Sequence, residues 1–218
     1  MPLSELPSSD FETQILEESI TSPAVAMMRL SLEIDRQLRL ILAVIGRLQN
    51  YNVFEPLQAL DIIVKNTTGN TVSTELRDTV ANFWELRNAV VHGGRSRQAL
   101  TLRAVDYGIR ILRLVKAIPR PSFVVIESLL LFSDDRCSNP RPDVKGVFLE
   151  SRDAQGKIHG RGVYPSRRDY TKGQSVSWEW DTNGPGWLET WYRDPDSGDI
   201  KYAWSESLEF IGRPLEQI

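Results

Sequence analysis

At Ile118-Pro119-Arg120-Pro121 the spacing of apolar residues changes from three and four to two. A helix buries one face with the first spacing and a strand with the second, so the chain must switch type of structure there. The prolines enforce the switch. Each lacks an amide donor, and each pushes the residue before it away from helical angles.

Before the switch the pattern is helical. From Ser22 to Arg47, the residues Met27, Leu30, Ile34, Leu38, Ile41, Leu42 and Ile45 paint one face of a long helix. A shorter amphipathic segment covers about Val53 to Val64, and the turn residues NTTGN end it. Ser73, with Glu75 and Asp78 behind it, marks a third start, and Leu76, Val80, Phe83, Trp84, Val90 and Val91 continue that pattern. Gly93-Gly94 stops it, because glycine accepts the left-handed conformation of a C-cap. A fourth helix runs from about Ser96 to Ile118, with Leu102, Val105, Ile109, Leu112 and Val115 inward. Four helices with short connections imply a bundle over residues 1–119.

After the switch, FVVIESLLLF, KGVFLES, KIHGRGVY, QSVSWEWD, LETWYRD and IKYAWSE read as strands between turn clusters such as DAQG, DTNGPG and DPDSGD. The expectation is an α+β protein: a helical domain followed, over residues 120–218, by a small antiparallel β-rich module. No internal repeat or low-complexity tract interrupts either part.

Composition narrows the class. Hydrophobic residues at 41% and charged residues at 25% match soluble globular proteins, which argues against both disorder and a membrane span. No apolar run approaches the roughly 18 residues that cross a bilayer, and MPLSELPSSDFETQ lacks the pattern of a secretory leader. A cytoplasmic location and no membrane partner are expected. Cys137 is the single cysteine and has no internal disulfide partner, and with two histidines the chain cannot supply a thiolate and imidazole set for structural zinc. No metal and no cofactor are expected. The net charge of −3 excludes a chain that is basic throughout, yet from Arg87 to Arg120 Asp106 is the only acid among eight cations.

Within that basic stretch lies FWELRNAVVHGG, residues 83 to 94, which holds one of the two histidines. Arg87 and His92 are five residues apart, or roughly 140° around a regular helix, so they do not share a face. The glycines after His92 would let its ring swing toward Arg87 at the helix end, or two copies of the chain would bring the pair together across a symmetry axis.

The segment LRNAVVHGG resembles the HEPN superfamily (higher eukaryotes and prokaryotes nucleotide-binding domains), whose motif is an arginine, often followed by a polar residue, then a histidine four to six residues later. Arg87, Asn88 and His92 fill those positions, and the resemblance covers residues 22 to 118 without the β module. It implies a homodimeric, metal-independent endoribonuclease or RNA-binding effector of a toxin or antiviral defence system, with an antitoxin or defence protein as partner. Arg87 would offset charge on a phosphate, and its fork of donors matches phosphate oxygens. Histidine ordinarily titrates at about pH 6.5, which suits His92 as a base for the ribose 2′-hydroxyl. Asn88 would orient the imidazole or hold the sugar. Arg95, Arg97, Arg103 and Arg110 would follow the RNA backbone, and Glu33 would orient Arg87. The resemblance also leaves room for relatives that bind RNA or a nucleotide without cutting.

The same residues have plainer readings. Arg87 can pair with an acid of the bundle, and His92 can cap carbonyls at the helix C-terminus. The arginines of the fourth helix can be its polar side. His159, in GKIHGRGVY, reads as a surface strand position with Arg161 beside it. Five tryptophans fall in the β module, and Trp178 with Trp180, or Trp187 with Trp191, would share a strand face, as core or as a stacking platform.

Overall fold

The structure is a computed structural model that describes residues 10–48, 56–68, 72–92, 98–153, 155–181, 189–203 and 208–218. It is α+β, with an antiparallel sheet. The chain divides into two compact units, one of Met1–Arg39 with Asn50–Ile118 and one of Leu40–Gln49 with Pro119–Ile218.

The described helices are α1 (Asp10–Thr21), α2 (Pro23–Val44), α3 (Pro56–Thr68), α4 (Thr74–His92) and α5 (Gln98–Ala117). This is one more than the four expected from periodicity. The addition is α1, whose buried residues are Glu12, Ile15 and Ser19. Two of those three are polar, so an apolar period cannot reveal the helix. Glu12 is nonetheless satisfied, because Arg113 of α5 donates from Nη2 at 2.6 Å and from Nε at 3.2 Å.

The helices of this unit meet closely where α5 has no side chain. A Cβ added at Gly108 would lie 2.4 Å from Leu30 Cδ2 of α2 and 2.6 Å from Phe83 Cε2 of α4. Leu30 and Phe83 are themselves fully buried, so glycine is what lets three helices share one point of their core.

α2 stops at Val44, earlier than the apolar pattern suggests. Gly46 takes φ of 70°, and its amide donates to the Ala43 carbonyl at 3.3 Å, while the Arg47 amide donates to Leu42 at 2.8 Å. That pairing is a Schellman cap, closed by a glycine in the left-handed region. Ala43 accepts a second bond, from the Trp178 amide at 2.9 Å, within the unit that holds the strands.

The strands are β1 (Ser122–Phe132), β2 (Pro140–Arg152), β3 (Ile158–Ser166), β4 (Ser175–Val176), β5 (Trp180–Asp181), β6 (Trp191–Arg193), β7 (Ile200–Tyr202) and β8 (Glu209–Phe210). The main sheet has the order β3-β2-β1-β6-β7, with β4 also on β1, and β5 pairs with β8 apart from it. Within β2, Val147 and Leu149 join Val125, Val176 and Phe210, whereas Val144 and Phe148 join Leu131, Val163, Tyr192 and Ala203. Both faces of β2 are therefore covered. This explains why GVFLE is a continuous apolar run instead of an alternation.

QSVSWEWD, expected as one strand, is two, in different sheets. Between them the Ser177 amide donates to Arg213 and the Trp178 amide donates to Ala43, which takes the backbone off the ladder. Trp178 and Trp180 consequently do not stand in file on a flat strand. Their rings meet edge-on, with centroids 5.2 Å apart, and pack against the cluster around Phe210. Trp187, Trp204 and the glycines at 93 and 94 lie outside the described residues.

Candidate functional site

α4 begins where the sequence indicates. The Ser73 hydroxyl accepts the Leu76 amide at 3.3 Å, and Glu75 occupies the first turn, where a negative charge suits the helix dipole. The buried residues of α4 are Val80, Phe83 and Val90. Arg87 follows Phe83 by four and precedes Val90 by three, so it occupies a position on the inward stripe that an apolar residue would normally fill.

This placement shapes the guanidinium's surroundings. Its Nη1 donates to Asn88 Oδ1 at 2.9 Å, toward the exposed side. Its Nε is buried and has no hydrogen-bond partner. A desolvated donor with nothing to bond normally costs about 1–3 kcal/mol, more when the group is charged. Among the described residues, only Thr190 Oγ1 shares this condition.

His92 is the last residue of α4 and is exposed. α4 stays helical to that point, so the imidazole lies roughly 140° around the axis from Arg87 and about 7.5 Å further along it. No hydrogen bond or ion pair joins the two. The fold thus unites Arg87 with Asn88 and leaves His92 on the outward side of the same helix.

The cations expected to follow an RNA backbone have separate fates. Arg95 and Arg97 lie outside the described residues. Arg103 is exposed and turns onto Tyr107, with Nη2 3.1 Å from the phenol oxygen and the guanidinium carbon 5.6 Å from the ring centre. Arg110 is exposed and pairs with Asp106 at 3.1 Å. Exposed pairs of this kind, one helical turn apart, contribute about 0.3–0.5 kcal/mol, so a phosphate can displace them.

The register of α4 against α5 sorts these residues by height. Phe83 lies against Gly108, and Leu76 and Thr79 line a cleft of about 460 Å³ with Arg110, Arg113 and Leu114. One turn beyond Phe83, Arg87 is level with the turn of α5 that carries Arg103. Arg110 stands roughly 10 Å further along α5, beside Thr79.

Glu33 keeps its own company. Its oxygens accept Arg36 Nε at 2.8 Å and Nη2 at 3.0 Å, and Gln37 Nε2 at 2.9 Å. Burial pushes its carboxyl up, but the Arg36 and Gln37 hydrogen bonds outweigh burial and hold it below the ordinary carboxylate range. No bond joins Glu33 to Arg87.

In the strand-bearing unit, arginine is used differently. Glu150, buried at 2% exposure, accepts Arg152 Nε at 2.7 Å and Arg161 Nε at 3.1 Å. Glu209 accepts the Arg167 amide at 2.8 Å and its Nε at 2.9 Å, and Arg168 Nη1 donates to the Ile211 carbonyl at 2.7 Å. Glu179 accepts Arg213 through both oxygens at 3.0 Å and also the Ser177 hydroxyl. Burial would raise the Glu179 carboxyl, but Arg213 and Ser177 hold it down. His159 is exposed and sits 3.2 Å from Asp153. Among the described residues no three His, Cys, Asp or Glu side chains converge as a metal-ion ligand set.

Sequence reasoning found Arg87 but not its inward position. The signal was present: the spacing Val80, Phe83, Arg87, Val90 places an arginine in series with three apolar residues. No family model matches the chain, and it has no match among curated proteins or solved structures.

Proposed function

We propose that this chain is a HEPN-type, metal-independent endoribonuclease or RNA-binding effector of a toxin or antiviral defence system, built on a four-helix bundle of that family and working as a homodimer. The observation that supports it is the Arg87 guanidinium. It stands on the inward stripe of α4 yet brings Nη1 to the exposed side, where Asn88 steadies it, and that end of the fork is suited to a phosphate oxygen arriving from outside.

In the reaction, the ribose 2′-hydroxyl attacks the adjacent phosphorus, and the bond from phosphorus to the 5′-oxygen breaks. His92 removes the 2′ proton, and the leaving oxygen is protonated by solvent or by the second copy's imidazole. Arg87 offsets the charge that grows on the non-bridging oxygens. The products carry a 2′,3′-cyclic phosphate and a 5′-hydroxyl. Because Arg87 and His92 point to different sides of one helix, the reaction draws Arg87 from one protomer and His92 from the other.

Purified protein is expected to cleave single-stranded RNA in EDTA. Arg87→Ala and His92→Ala are each expected to lower cleavage by about 10²-fold or more while the dimer persists in analytical ultracentrifugation. Undiminished cleavage by both variants would overturn the proposal.

A second reading rests on the separation of the two side chains within one protomer. A nucleotide-binding regulator, or a dimerisation protein that recognises its ligand through the β module, needs only the arginine. It is distinguished by thermal stabilisation with a nucleotide and the absence of RNA products.

A further inference from the structure

The cap that ends α2 also forms one wall of a cleft of about 340 Å³, whose lining includes Gly46, Arg47, Trp178, Glu179 and Trp180. All of these belong to the unit that contains the strands. Volumes of roughly 300–1,000 Å³ with apolar and aromatic walls and a few polar groups are typical of small-molecule sites.

The walls are fixed in place. Trp178 stacks on Phe123 at 4.5 Å and meets Tyr164 edge-on at 5.3 Å, and Trp180 meets Tyr164 edge-on at 5.5 Å. Gly46 allows the helix end to approach this closely, since a Cβ there would lie 3.1 Å from Trp178 Cδ1. Flat aromatic walls that cannot rotate suit a flat guest.

Charge then selects among flat guests. Glu179 presents no free anion, because Arg213 and Ser177 occupy its oxygens. The negative end of α2 is quenched as well, with Leu42 and Ala43 bonded to the amides of Arg47, Gly46 and Trp178. Arg47 is exposed, and among the described residues no hydrogen bond or ion pair holds its guanidinium. Among the described residues that line the cleft, the net preference is for an anion.

We infer that this cleft binds a planar ring bearing one anionic group, the ring against Trp178 and Trp180 and the phosphate or carboxylate on Arg47. A nucleoside monophosphate and an aromatic carboxylic acid share that chemistry. Neither requires the α4 residues, so the inference stands apart from the proposed ribonuclease activity.

The test uses the full chain carrying Arg87→Ala and His92→Ala, which removes the helical phosphate site from the measurement. Tryptophan fluorescence and thermal melting are followed with AMP, UMP and indole-3-acetate, and with adenosine and tryptamine as uncharged and cationic rings. Saturable binding of at least one anionic ring is expected, with the uncharged and cationic rings at least ten-fold weaker. Adding Arg47→Ala should weaken that binding ten-fold or more without lowering the ligand-free melting temperature, because the side chain is exposed; Arg47→Lys should restore part of it. Binding of the nucleotides alone identifies phosphate as the source, and binding of indole-3-acetate alone identifies carboxylate. The inference is overturned if no anionic ring saturates by about 5 mM. Binding unaffected by Arg47→Ala, or tighter binding of tryptamine, overturns it equally.

Discussion

Arginine serves opposite ends in two parts of this molecule. Beyond β1, Arg152, Arg161, Arg167 and Arg213 each close onto a buried carboxylate, and at Glu150 and Glu179 the guanidinium more than offsets the upward push of burial on the carboxyl. On α4, Arg87 projects a buried nitrogen that meets no acceptor. The first set completes the fold, while the second leaves hydrogen-bonding capacity unused. A count of basic residues cannot separate the two, but the fate of each donor can.

That contrast fails or sharpens through substitution. The largest effect is expected at Arg87. Arg87→Ala should lower RNA cleavage by about 10²–10³-fold, as removal of a donor to a developing oxyanion does elsewhere. Urea unfolding should show little loss of stability, because the one bond removed is the exposed one to Asn88 and a buried nitrogen without a partner is removed with it. A large stability loss without a change in cleavage would reverse the assignment. Arg213→Ala should do the opposite, costing roughly 2–3 kcal/mol by leaving the buried Glu179 carboxylate without its guanidinium. RNA cleavage per folded molecule should be unchanged.

Gly46→Ala comes next, with an expected loss of about 1–2 kcal/mol, since alanine is strained at φ of 70° and its methyl would press on Trp178. Asp194→Asn adds a pH signature. Asp194 accepts Lys201 Nζ at 2.6 Å and the Ser197 amide at 3.0 Å, which hold its carboxyl down to about 2. A carboxyl whose folded pKa lies below its unfolded value stabilises the fold above the unfolded value, and that contribution disappears as pH falls through the folded one. The variant should therefore melt below the parent at pH 6, and the gap should narrow between about pH 4 and pH 2. The smallest effect belongs to Arg110→Ala: under about 0.5 kcal/mol of stability from its exposed pair, and a salt dependence of RNA binding reduced by about one unit of slope if it touches a phosphate.

Much of the fold is legible in the sequence, for a physical reason. Helices α2, α4 and α5 bury long, regular apolar patterns, and their positions follow from period, while β1, β2 and β3 show as short apolar segments bounded by turn residues. Elements of another kind escape. α1 buries Glu12 and Ser19, whose partners come from elsewhere in the chain or from the helix backbone. β8 is two residues long, and the break between β4 and β5 depends on a carbonyl at Ala43 more than a hundred residues away. At the candidate site, the motif spacing points to Arg87 and its neighbours, while the unmet Nε depends on packing that spacing does not contain. The cleft at Arg47 was hidden more completely, since it joins a helix end to two tryptophans far along the chain.

The Schellman-capped end of α2 has a consequence for dissection of this protein. Its last turn supplies the carbonyl for Trp178, and Leu40–Gln49 belongs to the strand-bearing unit. A chimera that transplants everything from Pro119 onward would leave behind a stretch of polypeptide that this unit needs. The graft that retains its native shape is a discontinuous one, or a circular permutant that carries the helix end along with the strands.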